Sequence, residues 1–258
     1  MYINLFDSHV HSDNSPEGRD LVTALCSAAV DKGISGICIT DACDMEEFEE
    51  QKYGKRLMYS CFAAHKAQDI FSQQLIVTNG VEMCQPLADP DRAVQVIGEN
   101  RFDFVLGSLH KTRKYGDMMM LNYAHPALDL QDVFRSYYEE LLEVVQWGHF
   151  DSLAHLGYPL RYLKPYNRTV DLAQIDDVFA EIMKSLVAQG KALELNTGGL
   201  RMEIEAFTPS NKYLQMYKDY GGEMITIGSD AECCSDIGCD IQAGLELLKS
   251  VGFKYFTV

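Results

Sequence analysis

The chain has 258 residues, with 22 lysines and arginines against 38 aspartates and glutamates, so its formal net charge is −16. Its 47% of hydrophobic and 23% of charged residues are typical of a globular protein and exclude disordered, collagen-like and coiled-coil chains. The excess of acidic residues argues against binding to a long nucleic acid, because such binding requires a clustered basic face.

Short apolar segments alternate with amphipathic ones along the chain, and each short segment is flanked by glycine, aspartate or a capping residue, as buried parallel strands usually are. The predicted strands are, in chain order, Ile3–Phe6, Gly36–Thr40, Leu75–Val81, Phe104–Leu106, Ser152–Ala154, Ala192–Leu195, Met224–Ile227 and Tyr255–Val258. The helices predicted between them are Arg19–Lys32, Lys55–Ser72, Pro90–Asn100, Leu130–Trp147, Asp171–Gln189, Ser210–Tyr220 and Ile237–Val251.

This alternation predicts an α/β fold. In the segment Asp171–Gln189, apolar residues recur every three or four positions, which gives the helix one buried face. Gly33, Gly190 and Gly252 each follow a predicted helix end, where a left-handed cap residue belongs. No Pro/Gly/Ser-rich linker divides the chain, so we expect one domain over residues 1–258. Strands and helices alternating about eight times favour a single α/β barrel, with a doubly wound parallel sheet as the alternative.

Residues of the types that ligate metal ions lie at or just after the ends of the predicted strands. They are Asp7, His9 and His11 after the first strand, Asp41 and Asp44 after the second, Glu82, His110 and His155 after the next three, Glu194 and Asn196 at the end of the sixth, and Asp230 and Glu232 after the seventh. Because the carboxyl ends of parallel strands meet at one mouth of a barrel, we expect these residues to lie close together. Histidines with carboxylates suit divalent first-row metal ions. Taken singly, His155 is better explained as a hydrogen-bonded core histidine, but the regular placement of such residues at strand ends favours a metal site.

The sequence gives no indication of a membrane or secreted protein. The longest segment without a charged residue, Ile70–Val81, has 12 residues, whereas a spanning helix needs roughly 20. The N-terminus lacks the basic and apolar regions of a signal peptide. The eight cysteines form no C-x-x-C pair, so we expect reduced thiols and a cytoplasmic protein.

The same residues fall in motifs that resemble those of the polymerase-and-histidinol-phosphatase (PHP) superfamily. In family order they are Asp7-Ser8-His9-Val10-His11, Ile39-Thr40-Asp41, Gly80-Val81-Glu82, Gly107-Ser108-Leu109-His110, Ala154-His155 and Gly228-Ser229-Asp230-Ala231. The segments Leu193–Arg201 and Phe150–His155, the latter followed by Arg161-Tyr162, are similar to the histidinol-phosphate phosphatase branch. The resemblance covers essentially the whole chain.

The resemblance implies a distorted (β/α)7 barrel that holds two to three divalent metal ions, with zinc, manganese and iron as candidates. By position, His9 and His11 would bind the first ion together with Asp230. Glu82 would bridge it to a second ion, whose other ligands would be His110 and His155. A shared carboxylate suits two cations about 3.5–4 Å apart, because it offsets their repulsion.

The third metal site departs from the family pattern. Glu17, Ala42 and Glu232 stand where the family usually has histidines. One interpretation is that the third ion is absent. Another is that a harder ion such as Mn²⁺ or Mg²⁺ binds there, with Asp41 or Asp44 as a further ligand. A third interpretation is that Glu17 and Glu232 are only acidic surface residues near the mouth of the barrel.

The resemblance also implies hydrolysis of a small phosphate monoester, with histidinol phosphate first among the candidates, by attack of a hydroxide that bridges two metal ions. Arginine supplies a planar, permanently charged fork for phosphate oxygens. Arg201 is the first choice for this contact and Arg161 the second, and Asn196 is a further candidate for substrate binding. Asp230 or a metal-bound water is the candidate proton donor to the leaving alkoxide.

Two alternatives to a monoester phosphatase remain open at this point. One is a phosphodiesterase or nucleotide phosphatase of the same superfamily, since few basic residues disfavour long nucleic acids but not mononucleotides. The other is a non-catalytic metal-binding barrel. The expected partner is a small phosphorylated metabolite rather than a membrane or a nucleic acid.

Overall fold

The computed structural model describes residues 5–254 and 256. The strands in this part of the chain are β1 (Phe6–Val10), β2 (Gly36–Ile39), β3 (Ala42–Asp44), β4 (Ile76–Cys84), β5 (Phe104–Ser108), β6 (Lys111–Thr112), β7 (Gly116–Asp117), β8 (Ser152–Leu153), β9 (Ala192–Asn196) and β10 (Ile225–Gly228). The α-helices are α1 (Val22–Asp31), α2 (Tyr53–Phe71), α3 (Pro90–Asn100), α4 (Leu130–Trp147), α5 (Asp176–Gln189), α6 (Asn211–Asp219) and α7 (Ile241–Val251). Of the predicted strand Ile3–Phe6, residues 3 and 4 lie outside the described residues and Phe6 is the first residue of β1; of Tyr255–Val258, only Phe256 is described.

Seven parallel strands form the walls of a nearly closed barrel. Their order is β1-β2-β4-β5-β8-β9-β10, and β3 pairs with the end of β4. A parallel bridge between Val10 and Ala231 joins the last strand to the first, and the His11 N–H donates to the Ala231 carbonyl at 2.8 Å. The predicted seven-stranded α/β barrel is therefore confirmed, and the doubly wound alternative is wrong, because a doubly wound sheet stays open at both edges.

The helices pack their apolar faces against the outside of this barrel. On α4 the buried side chains include Val133, Phe134, Tyr137, Leu141 and Val144, which follow the three- and four-residue steps of a helical face. Burying each such side chain contributes roughly 1.5–3 kcal/mol relative to leaving it exposed. None of the described helices is long and apolar enough to cross a bilayer.

Four helices begin later than predicted, α6 by one residue and three others by more. The segment Leu172–Ile175 is a 3-10 turn, so α5 starts at Asp176. α1 starts at Val22 rather than Arg19, and α7 at Ile241 rather than Ile237. The loop before α7 is held by a tertiary contact, since the Gly238 N–H donates to the Asp7 carboxylate at 2.9 Å. The predicted caps at Gly190 and Gly252 are confirmed by left-handed backbones, with φ of 63° and 97°.

Five strands end later than their apolar pattern indicates, and β4 and β1 do so by the most residues. β4 continues through Glu82 because its last residues pair with β3 on one side and β5 on the other, where Glu82 lies opposite Ala42 and Leu106. β1 likewise includes Asp7 and His9. These residues therefore lie within strands at the mouth of the barrel rather than after them.

Candidate metal centre

The first cluster of donor atoms lies where β1 meets β10. The Nε2 atoms of His9 and His11 are 3.0 Å apart. Asp230, just after β10, has its Oδ1 3.6 Å from the first of these atoms and 3.5 Å from the second. All three side chains are buried, and their donor atoms lie within 4.8 Å of one another.

The second cluster centres on Glu82. Its Oε1 lies 2.7 Å from His155 Nε2 and 3.4 Å from His110 Nε2. Its Oε2 lies 3.9 Å from His9 Nε2 and 3.7 Å from His11 Nε2. One carboxylate thus reaches the histidines of both clusters. Cys84, which the sequence analysis did not single out, also brings its sulfur close to Glu82 and His110.

These clusters have the chemistry of a divalent metal site. The Nε2 atoms of His110 and His155 face each other at 3.4 Å, as those of the first cluster do at 3.0 Å, and each such pair can share only one proton. The carboxylates of Glu82 and Asp230 converge on the same buried nitrogens. Imidazole nitrogens and carboxylate oxygens brought together in this way suit zinc, iron or manganese. Apart from His9, the residues of both clusters line a cavity of about 310 Å³ at the mouth of the barrel.

The carboxylates at the centre are held in their charged form. Burial alone would raise the pKa of Glu82, but His110 and His155 keep that pKa well below its usual range. Burial alone would also raise the pKa of Asp230, but His9 makes the largest contribution to keeping that pKa well below its usual range. The centre therefore carries fixed negative charge facing the imidazoles.

The pKa values of the histidines in the first cluster are raised, whereas those of the carboxylates are lowered. Burial alone would lower the pKa of His9, but Glu194 and Asp230 outweigh burial and raise this pKa to about 9. The pKa of His11 is raised against the effect of burial to about 10, mainly by Glu17 and Asp230. In the metal-free protein the His9–His11 pair, which shares one proton between its Nε2 atoms, therefore keeps that proton to a higher pH than free histidine does.

We expect the metal-free protein to lose stability as the pH rises from 6.5 to about 8.5. The folded state keeps a proton on the His9–His11 pair that the unfolded chain, with an ordinary histidine pKa of 6.5, has already released. This stabilisation is complete below pH 6.5 and is lost as the pH approaches 9 and 10. Chelator-treated protein should show a lower Tm at about pH 8.5 than at 6.5. The measurement stops at about pH 8.5 because cysteine thiols of the unfolded chain begin to ionise there. A His9→Gln, His11→Gln variant should show a smaller difference, and an equal or rising Tm in the parent protein would contradict the expectation.

Asp7, the first residue of the D-x-H-x-H motif, does not face the donor atoms. Its carboxylate accepts hydrogen bonds from the Ser229 N–H at 2.8 Å and the Ser229 hydroxyl at 2.5 Å, besides the bond from Gly238. It therefore ties β1 to the loop after β10, which carries Asp230.

The residues predicted for a third metal are spread around the mouth. Glu17 comes closest, with Oε1 3.4 Å from His11 Nδ1 and 2.9 Å from the Ser15 hydroxyl. Glu232 is partly buried and lies 3.4 Å from Arg19.

Asp41 lies apart from the donor clusters found among the described residues. Both of its oxygens are occupied, by the Ser12 N–H at 2.5 Å, the Ser12 hydroxyl at 2.7 Å and the Ser60 hydroxyl at 2.5 Å. Asp44 pairs with Lys111 at 3.1 Å. The structure therefore brings only Glu17 of this set into contact with a histidine of the centre.

The two arginines differ in position. Arg161 lines the cavity, with Nη2 3.1 Å from Asp230 Oδ2 and its guanidinium over the Tyr158 ring at 4.6 Å. Arg201 donates instead to the carbonyls of Ser229 at 2.7 Å and Asp230 at 3.3 Å. The geometry thus favours Arg161 for contact with a ligand in the cavity, the reverse of the order expected from sequence.

Asn196 is fully buried and engaged at both ends of its amide. Its Nδ2 donates to Glu194 Oε2 at 3.1 Å, and its Oδ1 accepts from the Gly198 N–H at 2.9 Å. In the part of the chain that the structure describes, neither Asn196 nor Arg201 is among the side chains lining the cavity.

Known proteins resemble this chain in sequence and in fold. A family model described as the PHP domain matches residues 7–198. The chain is 29% identical to a "Probable histidinol-phosphatase" of Thermotoga maritima, over 98% of this chain and 95% of the relative. It is 27% identical to a "Histidinol-phosphatase" of Lactococcus lactis, over 96% and 91% of the two chains. The crystal structure of a histidinol phosphate phosphatase from Lactococcus lactis, complexed with zinc, L-histidinol and phosphate, superposes with a TM-score of 0.82 at 25% identity, covering 99% of this chain and 96% of that one.

Proposed function

The chain belongs to the PHP domain family, and from that premise we propose that it is a metal-dependent phosphatase that hydrolyses histidinol phosphate. The observation that carries the proposal is the position of Glu82 between two clusters of histidines at the base of a cavity lined by Arg161. The similarity to histidinol-phosphatases over nearly the whole chain supports the choice of substrate.

We assign the donor atoms to two ions. His9, His11 and Asp230 would hold one ion, and His110 and His155 the other, with Glu82 reaching both. Divalent ions bound there supply a nucleophile from water near neutral pH and offset the charge of the phosphoryl oxygens. Only Glu17 among the third-site residues contacts a histidine of the centre, so a third ion has the weaker support.

Arg161 is the residue that would bind the phosphate oxygens. Its Nε is buried and has no hydrogen-bond partner among the described residues; the same is true of Arg201 Nη1, but of these two arginines only Arg161 lines the cavity. Although burial alone would lower its pKa, Asp230 raises that pKa, so the side chain stays charged. The Tyr158 ring beneath it and the Asp230 carboxylate beside it fix the plane of the fork. A fixed, charged fork favours a dianionic phosphate monoester.

The outer part of the cavity suits the cationic remainder of histidinol phosphate. Its lining includes Asp44, Glu47 and Asp117. Among the described residues of that lining, Lys111 is the single lysine, and it is already paired with Glu47 at 2.5 Å, with Asp44 at 3.1 Å and with Glu46 at 3.3 Å. The surplus negative charge attracts an amine or imidazolium and repels a nucleoside di- or triphosphate, whose further phosphates are anionic.

A substrate panel tests this proposal. We expect purified protein supplied with Zn²⁺, Mn²⁺ or Fe²⁺ to hydrolyse histidinol phosphate with a kcat/KM at least about tenfold above that for p-nitrophenyl phosphate, because only the former has the cationic group. Bis-p-nitrophenyl phosphate should be the poorest substrate. A preference for the diester would favour the phosphodiesterase alternative. Inactivity on all three esters with every ion would favour the alternative of a non-catalytic metal-binding barrel.

A further inference from the structure

Glu194 on β9 is a fully buried carboxylate that belongs to neither donor cluster among the described residues. Its Oε1 lies 2.6 Å from His9 Nδ1. Its Oε2 accepts a hydrogen bond from the His155 backbone N–H at 2.6 Å. A single side chain thus contacts one histidine of each cluster.

The contact with His9 decides which ring nitrogen faces the centre. A carboxylate only accepts hydrogen bonds, so the proton of the neutral imidazole is on Nδ1. The lone pair is then on Nε2, the atom that points at His11, Glu82 and Asp230. Carboxylates that hold metal-binding histidines in this way set both the tautomer and the ring orientation.

The contact with His155 acts on the backbone. His155 has a φ of 21°, a conformation that residues with a Cβ rarely adopt. Such a residue persists only when its surroundings hold it in place. The short bond from its N–H to Glu194 is such a restraint, and it sets the direction from which the His155 ring approaches Glu82.

The barrel leaves Glu194 little freedom to move. A Cβ placed on Gly228 of the neighbouring strand would lie 2.4 Å from the His9 Cβ and 2.6 Å from Glu194 Oε1. Only glycine allows β10 to approach this close. By contrast, Glu17, the carboxylate near His11 Nδ1, is 3.4 Å away and is one-third exposed, with 34% of its side chain accessible.

We propose that Glu194 is a positioning residue for both metal ions at once, acting on one through the His9 ring and on the other through the His155 backbone. This inference rests on the two-ion assignment made under the proposed function. It predicts that one substitution on β9 weakens the binding of both ions, although Glu194 itself ligates neither.

The test is Glu194→Gln, measured by Zn²⁺ competition with a chromophoric chelator. Glu194 accepts from three N–H donors, of which His9 and the His155 backbone lie on different oxygens and the Asn196 amide shares Oε2 with His155. An amide has only one accepting oxygen, so glutamine satisfies the donors on one side and turns its NH₂ toward those on the other. We expect the affinity for each of two Zn²⁺ ions to fall about 10- to 100-fold. With saturating Zn²⁺, kcat for histidinol phosphate should fall while KM changes little, because Glu194 does not line the cavity.

Asp103→Asn is the matched control. Asp103 is also a carboxylate that accepts from a backbone N–H, that of Asn79 at 2.9 Å, but it lies before β5, at the opposite end of the barrel. This variant should bind Zn²⁺ as the parent does. Glu194→Asp is the second variant should glutamine impair folding, since the shorter side chain keeps the charge but cannot span both partners.

Each outcome separates this inference from the proposed function. If the parent protein fails to bind two Zn²⁺ ions, the two-ion assignment is wrong. If the parent binds two and both Glu194 variants bind them with unchanged affinity, the positioning role is wrong. Weakening of one ion alone contradicts action on both clusters.

Discussion

Replacing Glu82 with alanine is expected to remove bound metal and to lower kcat by more than about 10³-fold, which at 1.36 kcal/mol per tenfold is about 4 kcal/mol of transition-state stabilisation. The reason is geometric. Oε1 of Glu82 contacts His155 and His110, and Oε2 faces His9 and His11, so its removal takes a donor from both clusters. Four imidazoles would then share the centre with Asp230 as the remaining carboxylate of these two clusters.

Metal content by elemental analysis and kcat on histidinol phosphate check this expectation together. Glu82→Gln is the matched variant, because it keeps the volume of the side chain and removes only the charge. The same loss in Glu82→Gln shows that the carboxylate matters rather than a cavity left by truncation. Full metal content with an unchanged kcat in either variant would refute the shared-ligand role.

Replacing Arg161 with alanine is expected to lower kcat/KM about 100-fold, or about 2.7 kcal/mol, while bound metal stays at the parental level. A hydrogen bond to a charged group contributes roughly 1.5–3 kcal/mol, so this loss corresponds to the phosphate contact of the fork. Arg161→Lys should recover only part of the loss, because an ammonium cannot make two parallel bonds. Steady-state kinetics with metal analysis of each variant measures both quantities.

Arg201→Ala is the comparison variant, because it removes the same group from a position outside the cavity lining in the described chain. Its guanidinium holds the carbonyls of Ser229 and Asp230, so we expect a smaller effect on kcat/KM. A larger loss in Arg201→Ala than in Arg161→Ala would restore the order expected from sequence. A drop in bound metal in Arg161→Ala would mean that the arginine acts through Asp230 instead.

Much of the fold follows from local patterns. The helices α3 and α4 begin and end at the predicted residues, Pro90–Asn100 and Leu130–Trp147, because a proline start, an aspartate cap and a regular apolar face are all visible within the segment itself. The order of strands and helices, and the barrel it predicts, depend on the same local signals. The placement of histidines and acids at successive strand ends then predicts that they converge, since parallel strands share one mouth.

The sequence by itself therefore determined the barrel, the order of its elements and the convergence of His9, Glu82, His155 and Asp230, because each of these follows from short-range periodicity and strand direction. The roles of single side chains depended on partners far away in the chain. Asp41 is occupied by Ser60, Arg201 by the carbonyl of Ser229, and Glu194 reaches back to His9 across 185 positions. Only the tertiary structure decided these roles, because whether a carboxylate or guanidinium is free to meet a ligand depends on which hydrogen bonds the folded chain has already made with it.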